Sequence, residues 1–115
     1  ALTFGFAGAA KPEFFAQTYR AFNINVIQGV PAFIMPLLRE AKALEPKMQI
    51  EKVIYAGSPL SQVDREWLKS ELGVKRIASV IGANDGGQMA FQCEHQSGRL
   101  HHVIDEFNFI EIVDD

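Results

Sequence analysis

The sequence predicts an α/β protein: a three-layer α/β/α arrangement with a mainly parallel sheet, followed by an antiparallel hairpin and strand. Short runs rich in β-branched and aromatic residues alternate with segments whose apolar residues recur at helical spacing. Prolines and glycines stand where these elements would begin and end. Strands joined by helices in this way form parallel sheets with right-handed connections. The length of 115 residues suits one domain that covers residues 1–115.

The first half of the chain predicts two strands, each followed by a helix. The strands are Leu2–Phe6 and Ile24–Gln28. The helices open at Pro12 and Pro31, because proline fits the first turn of a helix, where its missing N–H costs nothing. In the second helix, Pro36 predicts a late start or a kink, since a proline past the first turn removes a backbone hydrogen bond.

A third helix is predicted between the strands Lys52–Ala56 and Val74–Ile81. Ser61 and Asp64 have the spacing of a capping box, with Asp in place of the usual Glu. Gly73 ends the helix, because glycine readily adopts the left-handed conformation found after the last turn.

The sequence indicates no further helix in the last third of the chain. Three antiparallel strands are predicted there, the first two forming a hairpin: Met89–Glu94, Leu100–Ile104 and Phe107–Val113.

Composition excludes several classes of protein. The net charge is −3, and the Lys and Arg residues are scattered along the sequence, which argues against a nucleic-acid surface. No apolar run approaches the roughly 20 residues that span a bilayer. A single cysteine allows no internal disulfide and fits a reducing compartment. We therefore expect a cytoplasmic protein with no nucleic-acid or membrane partner.

Three loops follow predicted strands, and ligands of such sheets bind at the carboxyl ends of the strands. The loops are Gly5–Ala10, Ala56–Pro59 and Gly82–Gly87. The third places Asn84 and Asp85 between glycines, which offers a carboxylate and an amide for Mg²⁺ beside a phosphate. The alternative is a plain turn, because Asn, Asp and Gly are also the commonest turn residues.

Several motifs follow one another in an order that resembles one enzyme family. Val53–Ser61 resembles the strand and glycine turn of adenylate-forming enzymes, and Ser79–Gly87 resembles their aromatic-Gly-x-Thr-Glu motif. The features after these motifs are Ala90–Glu94, His101, His102 and Phe109–Asp114. Together they resemble the phenylacetate–coenzyme A ligase branch of that superfamily, best over residues 50–115.

The resemblance implies an ATP-dependent acyl or aryl coenzyme A ligase. Such an enzyme makes an acyl-adenylate from a carboxylic acid, favouring here an aromatic acid such as phenylacetate, and then transfers the acyl group to coenzyme A. It uses ATP, releases AMP and requires Mg²⁺. By the resemblance, Asn84 takes the place of a threonine that contacts phosphate, and Asp85 that of a glutamate that holds Mg²⁺. The residues that would line the adenine side are Gly57, Ser58, Pro59, Ile81 and Gly82.

The chain also departs from the family pattern. Ile81 stands where an aromatic residue usually stacks on adenine, and nothing matches the family's hydroxyl-rich phosphate loop or its catalytic lysine. We therefore expect part of the large N-terminal domain, which is inactive alone and self-associates through surfaces that truncation exposes. The chain opens on a strand-like run, which favours this expectation. The alternative is a stand-alone α/β binding or interaction module without chemistry.

The single cysteine lies among all three histidines of the chain. If Cys93 lies opposite His102 in the predicted hairpin, Cys93, His95 and His102 share one face and His101 lies on the other, because side chains alternate along a strand. A register shifted by one residue would exchange the two histidines. Cysteine and histidine are zinc ligands, so these three residues are a candidate Zn²⁺ site. Two alternatives are a buried cysteine beside surface histidines, and a Cys–His nucleophile.

Overall fold

The computed structural model describes residues 3, 5, 10–96 and 99–114. Over these residues it contains three α-helices and one five-stranded mixed sheet. The elements in chain order are α1 (Pro12–Phe22), β1 (Val26–Gly29), α2 (Pro31–Leu44), β2 (Lys52–Tyr55), α3 (Gln62–Leu72), β3 (Arg76–Ala83), β4 (Gly87–Phe91) and β5 (His102–Val103). The predicted α/β class is confirmed. The predicted strand Leu2–Phe6 and most of the loop Gly5–Ala10 lie outside the described residues.

The sheet has a parallel part and an antiparallel part, and its strands lie in chain order. The pairs β1–β2 and β2–β3 are parallel, with Gly29 opposite Tyr55 and Tyr55 opposite Ser79. The pairs β3–β4 and β4–β5 are antiparallel. This arrangement agrees with the prediction of a parallel sheet extended by an antiparallel tail.

The hydrophobic core lies on one face of the sheet. Val53 and Tyr55 of β2 are buried, while Lys52 and Ile54, which point to the opposite face, are only partly buried. All three helices contribute to this single core cluster, and their fully buried side chains are Phe15, Leu38, Ala41, Leu68 and Leu72. The described residues therefore form two layers, and the prediction of three is wrong for them. The two crossovers run in the same direction across the sheet, so right-handed connections put α2 and α3 on the same face.

Helix α2 begins at Pro31, as predicted, and continues through Pro36. The predicted late start is not observed. Pro36 cannot donate the backbone hydrogen bond that a helix interior normally makes. The adjacent turns bury Ile34, Met35 and Leu38, and this burial offsets the loss of the bond. The longest described helix has 14 residues, and no described helix is long and apolar enough to cross a membrane.

The cap of α3 forms where the sequence predicts it. The Ser61 hydroxyl accepts a hydrogen bond from the Asp64 backbone N–H at 3.1 Å and donates to the Asp64 carboxylate at 2.7 Å. The same carboxylate accepts from Arg39 of α2 at 2.8 Å. The Ser61 hydroxyl and the Arg39 guanidinium lower the pKa of Asp64 below its usual range, while partial burial acts in the opposite direction. Gly73 ends the helix with φ of 67°.

We expect Ser61→Ala to lower the free energy of unfolding by about 1 kcal/mol at neutral pH, because the cap is lost. A carboxyl whose pKa is lowered on folding stabilises the protein above its unfolded pKa, and the stabilisation is lost as the pH falls. The cost of Ser61→Ala should therefore shrink as the pH falls from the ordinary aspartate pKa of about 3.9 toward the lower folded pKa of Asp64. Urea denaturation at several pH values measures this cost. Ser70→Ala, on the exposed side of the same helix, is the matched control, and an equal loss in both variants would contradict the cap assignment.

The antiparallel tail differs from its prediction in length and in its last strand. The predicted antiparallel pairing is present, but Phe91 rather than Cys93 lies opposite His102, and Ala90 lies opposite Val103. The register differs from the prediction by two residues, which leaves the same side chains on each face. Strand β5 has only two residues. The prediction of a strand at Phe107–Val113 is wrong. That segment follows a turn, in which the backbone N–H groups of residues 107 and 108 donate to the Ile104 carbonyl. It pairs with no described strand, and without a partner strand the alternating pattern cannot form a ladder.

Candidate functional site

The two loops that carry the predicted nucleotide-site residues leave the same edge of the sheet. Tyr55 ends β2 opposite Ser79 in the parallel neighbour β3. The turn at Gly57–Pro59 follows directly, whereas β3 continues to Ala83 before it turns. Four further residues of strand correspond to roughly 13 Å. The Gly57 turn therefore lies at the base of a projecting hairpin that carries the second loop.

The Gly57 turn packs against the start of α2. Gly57 has φ of +84°, and a Cβ there would lie 3.3 Å from Cγ2 of Val30, the residue that precedes α2. The Ala56 N–H donates to the Gly29 carbonyl, which extends the parallel pairing to this point. Ser58 is half-buried and Pro59 is exposed. The 14-residue helix α2 begins directly beside this turn.

The second loop is a tight hairpin turn between β3 and β4. A Cβ at Gly82 would lie 2.8 Å from the Gly87 carbonyl oxygen, so the close approach of the two strands requires glycine there. The register shifts at Ile81 and Gly82, as in a β-bulge. Asn84 and Asp85 are exposed at the tip, and neither side chain has a hydrogen-bond or ion-pair partner among the described residues. Their polar groups are therefore available to a ligand.

Ile81 lies on β3 between Ser79, which is level with the end of β2, and the hairpin turn that follows Ala83. It lies in β3 opposite Ala90, and 43% of its side chain is exposed. A branched aliphatic side chain can contact the face of a planar base by dispersion, although it lacks the π-system of an aromatic residue. The structure thus brings Gly57, Ser58, Ile81 and Gly82 to one region of the sheet edge.

The side chains of the cysteine and the histidines do not lie in one cluster. His102 Nε2 lies 3.2 Å from Cys93 Sγ, on the face where Phe91 contacts the His102 ring. His101 points to the other face, and its Nε2 lies 2.9 Å from the Ser79 hydroxyl. This division of the two histidines between the faces agrees with the prediction, although the strands pair in a register shifted by two residues.

His95 does not complete the predicted zinc site. Its side chain is 86% exposed and lies 3.6 Å from the Glu94 carboxylate. Across the described part of the chain, no group of three or more His, Cys, Asp or Glu side chains is placed to hold a metal ion. Of the three candidate ligands, the structure therefore brings together only Cys93 and His102.

Gln92 is a positioning residue that sequence reasoning missed. Its side chain is buried, its Oε1 accepts from the Ser79 backbone N–H at 3.0 Å, and its Nε2 donates to the Leu100 carbonyl at 3.3 Å. Its backbone N–H also donates to the Ser79 carbonyl. These bonds fix the segment after β4 against β3. The sequence signal is weak, because a glutamine in an alternating strand pattern gives no indication of burial.

Comparison with known protein families finds no family that matches the chain, and comparison with curated proteins finds no match either. The functional argument therefore depends on the geometry and the chemistry of the residues themselves.

Proposed function

We propose that this chain supplies one side of the nucleotide site of an ATP-dependent ligase. The ligase would activate a carboxylic acid as its acyl-adenylate and then transfer the acyl group to coenzyme A. One observation carries the proposal: the Gly57 turn and the Asn84–Asp85 turn leave the same sheet edge from neighbouring parallel strands. This edge is where ligands of parallel α/β sheets bind.

The residues at this edge suit the two ends of a nucleotide. The backbone of Gly57 and Ser58 and the side chain of Ile81 would contact the adenine base. Asn84 would donate its amide N–H to a phosphate oxygen. An extended nucleotide would span the distance between the base of the hairpin and its tip.

Asp85 suits a magnesium ion that is shared with the phosphates. Mg²⁺ commonly uses one or two carboxylates together with phosphate oxygens and water, and an exposed, unpaired carboxylate meets that need. A bound Mg²⁺ would offset the negative charge that develops as pyrophosphate leaves. The role of Asp85 is to hold positive charge at the phosphate end, and Asn84 orients the same group.

The test is the exchange of labelled pyrophosphate into ATP by the ligase that contains this chain. Exchange that depends on an added carboxylic acid is expected, with an aromatic acid such as phenylacetate among the best substrates. The residues of the chain itself do not include a phosphate loop or a catalytic lysine of the family pattern, so the chain alone should give no exchange. Absence of exchange across a broad set of aliphatic and aromatic acids would contradict the proposal.

A further inference from the structure

A cleft lies far from the two turns, over the amino end of β3. One wall is α3, the other is the segment 92–96, and the volume is about 210 Å³. Arg76, at its mouth, begins β3. Strand β3 then runs roughly 23 Å to the turn that holds Asp85. The cleft is therefore separate from the proposed nucleotide site.

The cleft concentrates positive charge in a chain whose net charge is −3. Four cationic side chains line it, Arg65 and Lys69 from α3 and Lys75 and Arg76 from the start of β3. Glu94 is the one carboxylate among its described lining residues, and it lies 3.8 Å from Arg76. Like charges gathered around a concave surface raise the local positive potential, so the cleft attracts anions.

The positive charges of the cleft are not neutralised by close ion pairs among the described residues. Arg65 donates to the Tyr55 hydroxyl and lies over the Tyr55 ring. Lys75 has only a long contact of 3.8 Å with Glu51, and both side chains are mostly exposed. Exposed pairs of this kind contribute little binding energy. The guanidinium and ammonium groups therefore keep most of their capacity for a ligand.

Two buried polar atoms at the cleft lack partners among the described residues: Arg76 Nε and Gln96 Oε1. Leaving a buried donor or acceptor unpaired is costly, so a ligand that pairs with either atom once its side chain turns toward the cleft would remove that cost. An arginine with a free Nε–H can give two parallel hydrogen bonds to an oxyanion. The Gln96 carbonyl accepts hydrogen bonds, so it suits a hydroxyl group on the same ligand.

We propose that this cleft binds the phosphate group of a small phosphate monoester whose organic part carries a hydroxyl group. Arg76 donates hydrogen bonds from its Nε–H and Nη–H groups to two phosphate oxygens. Lys69 and Lys75 add charge at the mouth, and the ligand hydroxyl donates to Gln96 Oε1. The cleft volume of about 210 Å³ suits a small molecule of this kind.

The test is an NMR titration of the isotope-labelled chain with inorganic phosphate and with glycerol phosphate, at an ionic strength held constant with chloride. We expect saturable shifts of the Arg76 Nε–H signal and of the backbone amides in segment 92–96, with glycerol phosphate binding more tightly than inorganic phosphate. Arg76→Gln should weaken binding about tenfold or more, because charge-assisted hydrogen bonds are lost. Lys69→Gln should weaken it less.

Lys47→Gln is the matched control, because it removes one positive charge from an exposed turn outside the cleft. It should leave binding unchanged. Shifts that chloride alone reproduces, or an equal loss of binding in Lys47→Gln and Lys69→Gln, would overturn the proposal. Lys69 is exposed, so this comparison holds even if Arg76→Gln fails to fold. Because the titration uses no ATP and reports on a separate site, its outcome leaves the ligase proposal untouched.

Discussion

Replacing Leu38 by alanine is expected to remove about 2–5 kcal/mol from the free energy of unfolding, because the substitution leaves a cavity in the core. Leu38 is completely buried at the centre of α2, in the cluster to which all three helices contribute. A domain of this kind is stable by only about 5–15 kcal/mol, so the variant should unfold at a much lower urea concentration. Trp67 is the single tryptophan and packs against the same core, which makes its fluorescence a direct probe of unfolding.

Leu44→Ala provides the matched control, since it makes the same chemical change at the last residue of the same helix. The Leu44 side chain is 48% exposed, so its truncation should cost less than about 1 kcal/mol. If the two variants lost similar stability, the core would not lie between α2 and the Val53 face of the sheet.

The second large effect is expected at Asp85. In the proposed ligase, Asp85→Asn should lower acid-dependent pyrophosphate exchange by about a hundredfold or more, on the scale of losing one preorganised stabilising group. The substitution preserves the shape of the side chain and removes the charge that would hold Mg²⁺. Because Asp85 is exposed at a hairpin tip and has no partner among the described residues, folding should be unaffected.

Two further variants separate a loss of the metal contact from a general loss of negative charge. Asp105→Asn removes an exposed carboxylate elsewhere in the antiparallel tail and should leave the exchange rate unchanged. Asp85→Glu keeps the charge, with the side-chain length of the family pattern, and should retain most of the activity. Equal exchange rates for Asp85→Asn and the unmodified enzyme would exclude Asp85 from the site.

The parallel half of the fold could be predicted because its signals are local. Pro31 starts α2, Ser61 caps α3 and Gly73 ends it, and each effect depends on a few neighbouring residues. The β2 prediction of Lys52–Ala56 is one residue longer than the observed strand. Strands joined by helical crossovers then pair in parallel, with right-handed connections.

The strands of the antiparallel tail and the number of layers in the fold depend on contacts between distant segments, which a local sequence pattern does not show. Phe107–Val113 alternates like a strand, but Phe109 is 92% exposed because no described strand lies beside it. The number of layers depends on the direction in which successive crossovers traverse the sheet. Here both traverse it in the same direction, so their helices share one face.

The two candidate sites also differ in how far the sequence predicts them. The shared location of the turns at Gly57–Pro59 and Gly82–Gly87 could be predicted, because each follows a strand and parallel strands end at one edge. The cationic cleft was missed, because the fold brings Arg65, Arg76 and Gln96 together from separate segments. Arg65 and Lys69, four residues apart on one helix face, and the adjacent Lys75 and Arg76 were the only signal in the sequence.

The central claim is that the turns at Ser58 and Asp85 belong to one metal–nucleotide site, and paramagnetic broadening tests it most directly. Mn²⁺ in place of Mg²⁺, added with ATP to the labelled chain, should broaden the backbone amide signals of Gly57, Ser58, Asn84 and Asp85 together. Asp85→Asn should abolish the broadening at both turns. Broadening confined to the Asp85 turn, or broadening at Ser58 that persists in Asp85→Asn, would contradict a shared site.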